Sequence, residues 1–272
     1  MGCCTTAEKN QKKRFEVIYE RGQLPVIMDI EKIVFGSDYG ANSWTTTQQA
    51  EEFCKLLALD PGDSLLDIGS GTGWPGLYIA EQSGCEITLV DIPLSALKIA
   101  LDRTLSDKLE RRSWVCAGNA TSLPFKTASF DVIHHSDILC CLPGKHEALV
   151  SCRDVIRPGG RMAFSVVALS PDLSREDATR AIANGPEFVE SGVSYTELLE
   201  KTGWKVIEYR DLSLECAMLC KQLGNIDQER KEQLVKAIGH DGFEDRQNDW
   251  QSRLYAIEEG LLRRELFLTA PF

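Results

Sequence analysis

Short apolar runs alternate with amphipathic stretches along most of this chain. The runs are Leu65–Ile68, Glu86–Val90, Trp114–Ala117, Phe130–His135, Met162–Ala168, Trp204–Asp211 and Arg264–Ala270. They are short, mostly apolar and bounded by turn-forming residues, so each reads as a strand. Between the early runs, Ala50, Phe53, Cys54 and Leu57 recur at helical spacing within 48–59, as do Leu94, Leu97, Ala100 and Leu101. Residues 145–156 and 195–202 read as further helices. Strands separated by helices predict βαβ units and a mostly parallel sheet with helices packed on it. Helical sequence over 11–34, broken from Gly22 to Pro25, precedes this core. Residues 170–192 read as a polar helical insertion after the fifth strand, and 214–238 and 244–260 as two charged amphipathic helices. The expectation is a flexible tail over 1–10 and a single α/β domain over 11–272. Its core would be 48–211 with 262–272, and its helical additions 11–47, 170–192 and 214–260.

The densest signal lies at 64–91. A strand ends in Gly69-Ser70-Gly71-Thr72-Gly73, an amphipathic stretch follows, and a second strand closes on Asp91. Glycines let a ligand lie against the main chain, and the amides opening the next helix face it. An acid at the carboxyl end of the second strand is placed to accept hydrogen bonds from two ribose hydroxyls. The unit therefore predicts a nucleoside site. A dinucleotide site wants G-x-G-x-x-G. Counted from Gly69, the sixth position is Trp74, and the frame that does fit, from Gly71, begins late relative to the strand.

Asp67-Ile68-Gly69-Ser70-Gly71-Thr72-Gly73 resembles motif I, (D/E)-x-G-x-G-x-G, of the class I S-adenosylmethionine (SAM) dependent methyltransferases. Gly118-Asn119-Ala120-Thr121-Ser122-Leu123-Pro124-Phe125 resembles that family's G-D-A-x-x-L-P-F, with Asn119 where Asp is usual. Ile156–Gly160 matches its L/I-x-P-G-G before an apolar strand. Together these cover 64–168 and resemble the type 11, small-molecule branch, near the ubiquinone/menaquinone-biosynthesis methyltransferases. The resemblance implies a Rossmann-like seven-stranded sheet whose last strand is antiparallel and inserted between strands five and six. It implies SAM as cofactor, held by Asp67, Gly69, Ser70, Gly71, Gly73, Asp91, Ile92, Asn119, Ala120 and Ser136. Ile92 would lie against the adenine, and the amide oxygen of Asn119 would accept its amino hydrogen without a charge. The implied reaction is in-line methyl transfer to a small acceptor, which needs alignment and exclusion of water more than it needs a base.

A base is required only for acceptors that must lose a proton. The candidates are His134, His135 and Asp137 at the end of the fourth strand, with His135 preferred because it is nearer that end. Strand alternation sends the two imidazoles to opposite faces. Tyr39 and Trp44, in a loop of Gly, Asn and Ser, either close over the donor site or pack a leading helix on the sheet.

A net charge of −11 argues against a nucleic-acid substrate. No apolar stretch is long enough to span a bilayer, and no signal peptide is recognised. Ten scattered cysteines suggest a reducing cytosol rather than a disulfide framework. Met1-Gly2-Cys3-Cys4-Thr5-Thr6 fits both an N-terminal acylation pattern and a plain tail. Cys140-Cys141, Cys216 and Cys220 leave open a metalloid methyltransferase, although free cysteines are commonly core residues. Paired C-x₂-C spacing is missing, so no zinc site is expected. A SAM-binding module without catalysis and an NAD-dependent dehydrogenase are the remaining alternatives.

Overall fold

The computed structural model describes residues 6–40 and 44–272. Two helices lead in, α1 (Thr6–Gly22) and α2 (Pro25–Phe35), followed by α3 (Thr47–Leu57). The βα core then runs β1 (Ser64–Ile68), α4 (Gly76–Ser83), β2 (Glu86–Asp91), α5 (Leu94–Ser106), β3 (Ser113–Ala117) and β4 (Phe130–Ser136). It continues through α6 (Lys145–Val155), β5 (Ile156–Leu169), α7 (Arg175–Asn184), α8 (Tyr195–Lys201) and β6 (Trp204–Asp211). Two helices, α9 (Ser213–Glu229) and α10 (Lys231–Glu258), precede β7 (Leu262–Pro271).

The seven strands form one sheet in the order β3-β2-β1-β4-β5-β7-β6. All neighbours are parallel except β7, which is antiparallel to both β5 and β6. Alternation along the strands builds two apolar layers. Leu65, Ile87, Leu89, Val132 and Ala163 pack with Phe53, Leu77 and Ala100 on one face. Leu66, Ile68, Val90, Ile133, Met162 and Phe164 pack with Leu149, Leu198 and Trp204 on the other. A third cluster joins α2 to α9 and α10 through Ile27, Ile30, Leu223, Leu234 and Phe243.

Three boundaries differ from the sequence expectation. Helix α1 starts at Thr6, inside the stretch expected as tail, where Ala7, Glu8, Lys9 and Gln11 favour the helix. The long helix expected over 214–238 breaks at Arg230, while the expected gap near 239 is a kink within α10, where Gly239 has φ +79°. Strand β5 begins at Ile156, so the Pro158-Gly159-Gly160 segment belongs to the strand rather than to the turn before it. The acylation pattern at Gly2, Cys3 and Cys4 lies outside the described residues.

Candidate active site

A cavity of about 540 Å³ opens beyond the carboxyl ends of β1, β2, β4 and β5, between α1, α10 and the loop before α3. Open α/β sheets place their ligands there. Its wall includes Gly69, Ser70, Gly71, Asp91, Ile92, Asn119 and Ala120. It also includes Trp44, Ser136, Asp137, Cys140, Cys141 and Arg253.

The glycine turn is fixed by its own backbone. The amides of Gly69 and Ser70 both donate to the Val90 carbonyl, at 2.7 and 3.1 Å. Gly71 has φ +52°, and a Cβ there would sit 2.9 Å from Cε1 of Tyr19, so a side chain is excluded by both conformation and space. The Gly71 amide donates to Oδ2 of Asp91 at 2.8 Å, and the Ile92 amide donates to Oδ1 at 2.7 Å. Burial pushes the Asp91 carboxyl up to about 6, against the pull of these two amides. Each oxygen keeps a second lone pair for a further donor. Ile92 is 41% exposed and offers an apolar shelf beside it. Oδ1 of Asn119 accepts from the Thr121 amide at 3.0 Å, so that oxygen is already oriented by its own turn.

Two residues of the sequence motif stand behind the turn. Asp67 is buried, and its Oδ1 lies 2.8 Å from Nδ1 of His134, its cross-strand neighbour. Burial raises the Asp67 carboxyl, and the histidine opposes that shift. A Cβ on Gly76 would come within 2.2 Å of Oδ2 of Asp67, so the acid seats the start of α4 against β1. Neither Asp67 nor Gly73 is in the cavity wall.

His135, the preferred base, is also outside the wall. It is fully buried, with its ring 4.5 Å from that of Phe164 at an interplanar angle of 26°. Burial drives its pKa well below the ordinary histidine range, so it is neutral. The strand period points it into the layer with Phe164 and Phe267, and the cavity begins only past the strand end.

Asp137 does reach the wall, held in the left-handed region at φ +56°. Its carboxylate is gripped by Arg264, with Nη2 to Oδ2 at 2.9 Å and Nε within 3.3 Å of both oxygens. Arg264 is fully buried and also donates to the Trp44 carbonyl, Gln49 Oε1, Thr45 Oγ1 and Ser165 Oγ. Ser136 Oγ is 3.0 Å from Thr45 Oγ1, and the Trp74 indole donates to the Thr45 carbonyl at 2.7 Å. One arginine from β7 thus fastens the loop before α3 to the ends of β4 and β5.

The two loop aromatics part company. Trp44 lines the cavity, edge-on to Trp250 at 5.6 Å. Tyr39 does not: its hydroxyl donates to Asp107 at 3.0 Å, and the Arg103 guanidinium lies 4.2 Å from its ring centroid. That contact with α5 replaces any lid role for Tyr39. The wall also holds residues the sequence reading missed, Phe15, Ile18 and Tyr19 of α1 and Ser252 and Arg253 of α10. Phe15, Ile18 and Tyr19 have helical spacing, which signalled a buried face but not what it covers.

Cys140 and Cys141 are in the wall, whereas Cys216 and Cys220 are buried in the core behind it. Cys140 Sγ donates to the Asp137 carbonyl at 3.2 Å. Among the described residues, no group of three or more His, Cys, Asp or Glu is arranged to hold a metal ion. No described helix is long and apolar enough to cross a membrane.

The sheet order and the glycine turn against a strand-end acid define an α/β nucleoside-binding domain of the Rossmann-like class. Residues 66–164 match the type 11 methyltransferase domain model. This part of the chain is thus similar to the methyltransferase domains of that family. Among similar curated proteins, phosphoethanolamine N-methyltransferase 1 of Zea mays is 24% identical over 236 residues, 86% of this chain and 46% of that protein. The 27-O-demethylrifamycin SV methyltransferase of Amycolatopsis mediterranei is 29% identical over 172 residues, 62% of this chain and 63% of that protein. The chain thus spans between about half and two thirds of the length of these relatives. Phosphoethanolamine N-methyltransferase 2 of Haemonchus contortus, solved with phosphomonomethylethanolamine and S-adenosylhomocysteine, has the same fold. It aligns with a TM-score of 0.77 at 18% identity, over 94% of this chain and 60% of that one.

Proposed function

We propose that the protein transfers the methyl group of SAM to a small-molecule acceptor and releases S-adenosylhomocysteine. The observation that carries this reading is one cavity whose wall joins the glycine turn and Asp91 to Trp44, Ser136 and Asp137. The described wall suits the cofactor. Asp91 keeps lone pairs for the ribose hydroxyls, Ile92 gives the adenine an apolar shelf, and Gly69 to Gly71 allow close approach of the main chain. When bound, SAM supplies an electrophilic sulfonium methyl. The chain's residues do the rest: Ser136 and Asp137, pinned through Thr45 and Arg264, define the floor beyond the strand ends. Trp44 and Cys141 line the cavity, and Tyr19 covers Gly71 of the turn. Alignment of this kind can lower a barrier by roughly 7–11 kcal/mol. Among the base candidates, Asp137 alone stands in the wall, and Arg264 holds its carboxylate. The described cysteines, Cys54 to Cys220, are all free, which supports a reducing, cytoplasmic setting.

The test is calorimetric titration with S-adenosylhomocysteine of the wild type and of Asp91→Ala, followed by turnover of labelled SAM with an acceptor panel. One or two charged hydrogen bonds of about 1.5–3 kcal/mol each predict a loss of at least tenfold in affinity for the variant. Failure of the folded wild type to bind S-adenosylhomocysteine would refute the reading. Binding without turnover of any acceptor would favour the non-catalytic module.

A further inference from the structure

The turn that follows β3 fixes the polarity of the side chain beside Ile92. Ala117 ends β3 opposite Asp91, and the Gly118 amide donates to the Asp91 carbonyl at 3.0 Å. Asn119 is the next residue, so the register sets it beside the strand-end acid and its apolar shelf, in the same cavity wall. The turn is closed by two hydrogen bonds. The Ser122 amide donates to the Asn119 carbonyl at 2.9 Å, and the Thr121 amide donates to Asn119 Oδ1 at 3.0 Å. A backbone N–H can only donate, so the side-chain atom it meets is the oxygen, and the other is the NH₂ group. The amide is planar, so with its oxygen drawn to Thr121 its nitrogen is turned away from that hydrogen bond. Asn119 is exposed, and Nδ2 has no hydrogen-bond partner among the described residues. A carboxylate in this place would offer a second acceptor oxygen, whereas this chain offers an N–H donor. Of the other acids in the wall, Asp91 is held by two amides, Asp137 by Arg264 at 2.9 Å, and Asp249 lies 3.5 Å from Arg14. Glu187 is the wall acid without an ion pair among the described residues.

We propose that Asn119 meets the nucleobase of the bound cofactor as a hydrogen-bond donor, so that the site does not select a 6-aminopurine over a 6-oxopurine. The proposal rests on reading the wall around Asp91 as the nucleoside site of SAM. Either base gives Nδ2 an acceptor: adenine has ring N1, and hypoxanthine has its 6-oxygen. The 6-amino group of adenine is itself a donor and gains nothing from another N–H. The sequence expectation has the Asn119 oxygen accepting that amino hydrogen, but in the fold the Thr121 amide holds this oxygen to its own turn. Sites discriminate strongly when the wrong ligand leaves one of their buried polar groups unpaired. Neither base does that to Asn119, which is exposed and finds an acceptor on each.

Calorimetric titration with S-adenosylhomocysteine and with S-inosylhomocysteine, its 6-oxo counterpart, tests this. The proteins are wild type, Asn119→Asp, Asn119→Ala and Glu187→Gln, each checked for folding by thermal melting. Wild type should bind the two ligands within about threefold of each other. Asn119→Asp keeps an oxygen for the Thr121 amide and gains a charged acceptor for the 6-amino group. It should therefore prefer S-adenosylhomocysteine by about tenfold or more. Asn119→Ala removes one neutral hydrogen bond from each ligand and should weaken both alike, by about two- to tenfold. Glu187→Gln should leave the ratio of affinities as it is in wild type. The proposal is overturned if wild type prefers S-adenosylhomocysteine by more than about threefold, the result expected if the second lone pair of Oδ1, or Glu187, met the amino group. It is also overturned if Asn119→Asp leaves the ratio unchanged, or if Asn119→Ala binds both ligands as wild type does. Failure of the folded wild type to bind either ligand would remove the SAM reading, and this proposal with it. A selective wild type would remove the role of Asn119 and leave the SAM reading standing.

Discussion

Arg264→Met removes a fully buried guanidinium and leaves its partners in place. Asp137 loses three contacts within 3.3 Å, and the Trp44 carbonyl and the side chains of Gln49, Thr45 and Ser165 each lose a donor. The Asp137 side chain is only 12% exposed, so water can restore little of this. Breaking a buried pair by deleting one partner costs about 3–5 kcal/mol. A protein somewhat above 250 residues loses about 2–4 °C per kcal/mol, which places the expected fall in melting temperature at roughly 6–20 °C. The charge left behind, rather than the lost packing, should dominate. The double variant Arg264→Met with Asp137→Leu should therefore be more stable than the single one, since it leaves no buried carboxylate without a counter-charge. Urea unfolding of wild type, both single variants and the double variant closes the cycle. The reasoning fails if Arg264→Met loses less than about 1 kcal/mol, or if the double variant is as unstable as the two single losses added together.

Two further outcomes follow from the site. Asp91, raised to about 6, binds its proton more tightly folded than unfolded, so its contribution to stability declines as pH rises from about 4 to about 6. Affinity for S-adenosylhomocysteine should run the other way, falling roughly tenfold from pH 7 to pH 5 as the acceptor carboxylate is neutralised. A flat profile in titrations at those pH values would exclude Asp91 from the site. Tyr39→Phe loses one hydrogen bond to Asp107, about 0.5–1.5 kcal/mol of stability, and should retain full turnover. Trp44→Ala should instead depress turnover beyond any change in folded fraction, and equal specific activity in the two variants would count against Trp44 as a wall of the reaction chamber.

The parts of this molecule legible in the sequence are those governed by local periodicity. Seven apolar runs gave seven strands, and the glycine turn with Asp91 was placed at the strand ends, where the cavity lies. What was not legible depended on which way a known element faces. Alternation correctly divides His134 from His135, but nothing in Phe130–Ser136 says that the cavity starts only beyond residue 135. Tyr39 and Trp44 belong to one aromatic loop, and only the positions of Arg103 and Asp107, more than sixty residues away, draw Tyr39 to α5. Arg253 looks in sequence like any charge on an amphipathic helix. Only the fold shows that it stands in the cavity wall.

The position of β7 has a consequence for synthesis. Strand β6 pairs with β7 alone, and β7 also covers the open side of β5. Residues 212–261 separate the two strands, so on a ribosome β6 exists for about 3–10 s before its partner is made, at roughly 5–20 residues per second. Throughout that interval the open side of β5 and both sides of β6 lie bare in the growing polypeptide, the kind of edge that recruits other chains. Helices α9 and α10, made in the interim, can form locally but cannot close that gap. Arg264 arrives with the missing strand, so the same late segment that seals the sheet also locks Trp44, Thr45 and Asp137 into place. A nascent chain can thus form its glycine turn early, yet cannot complete the cavity wall until the sheet itself is finished.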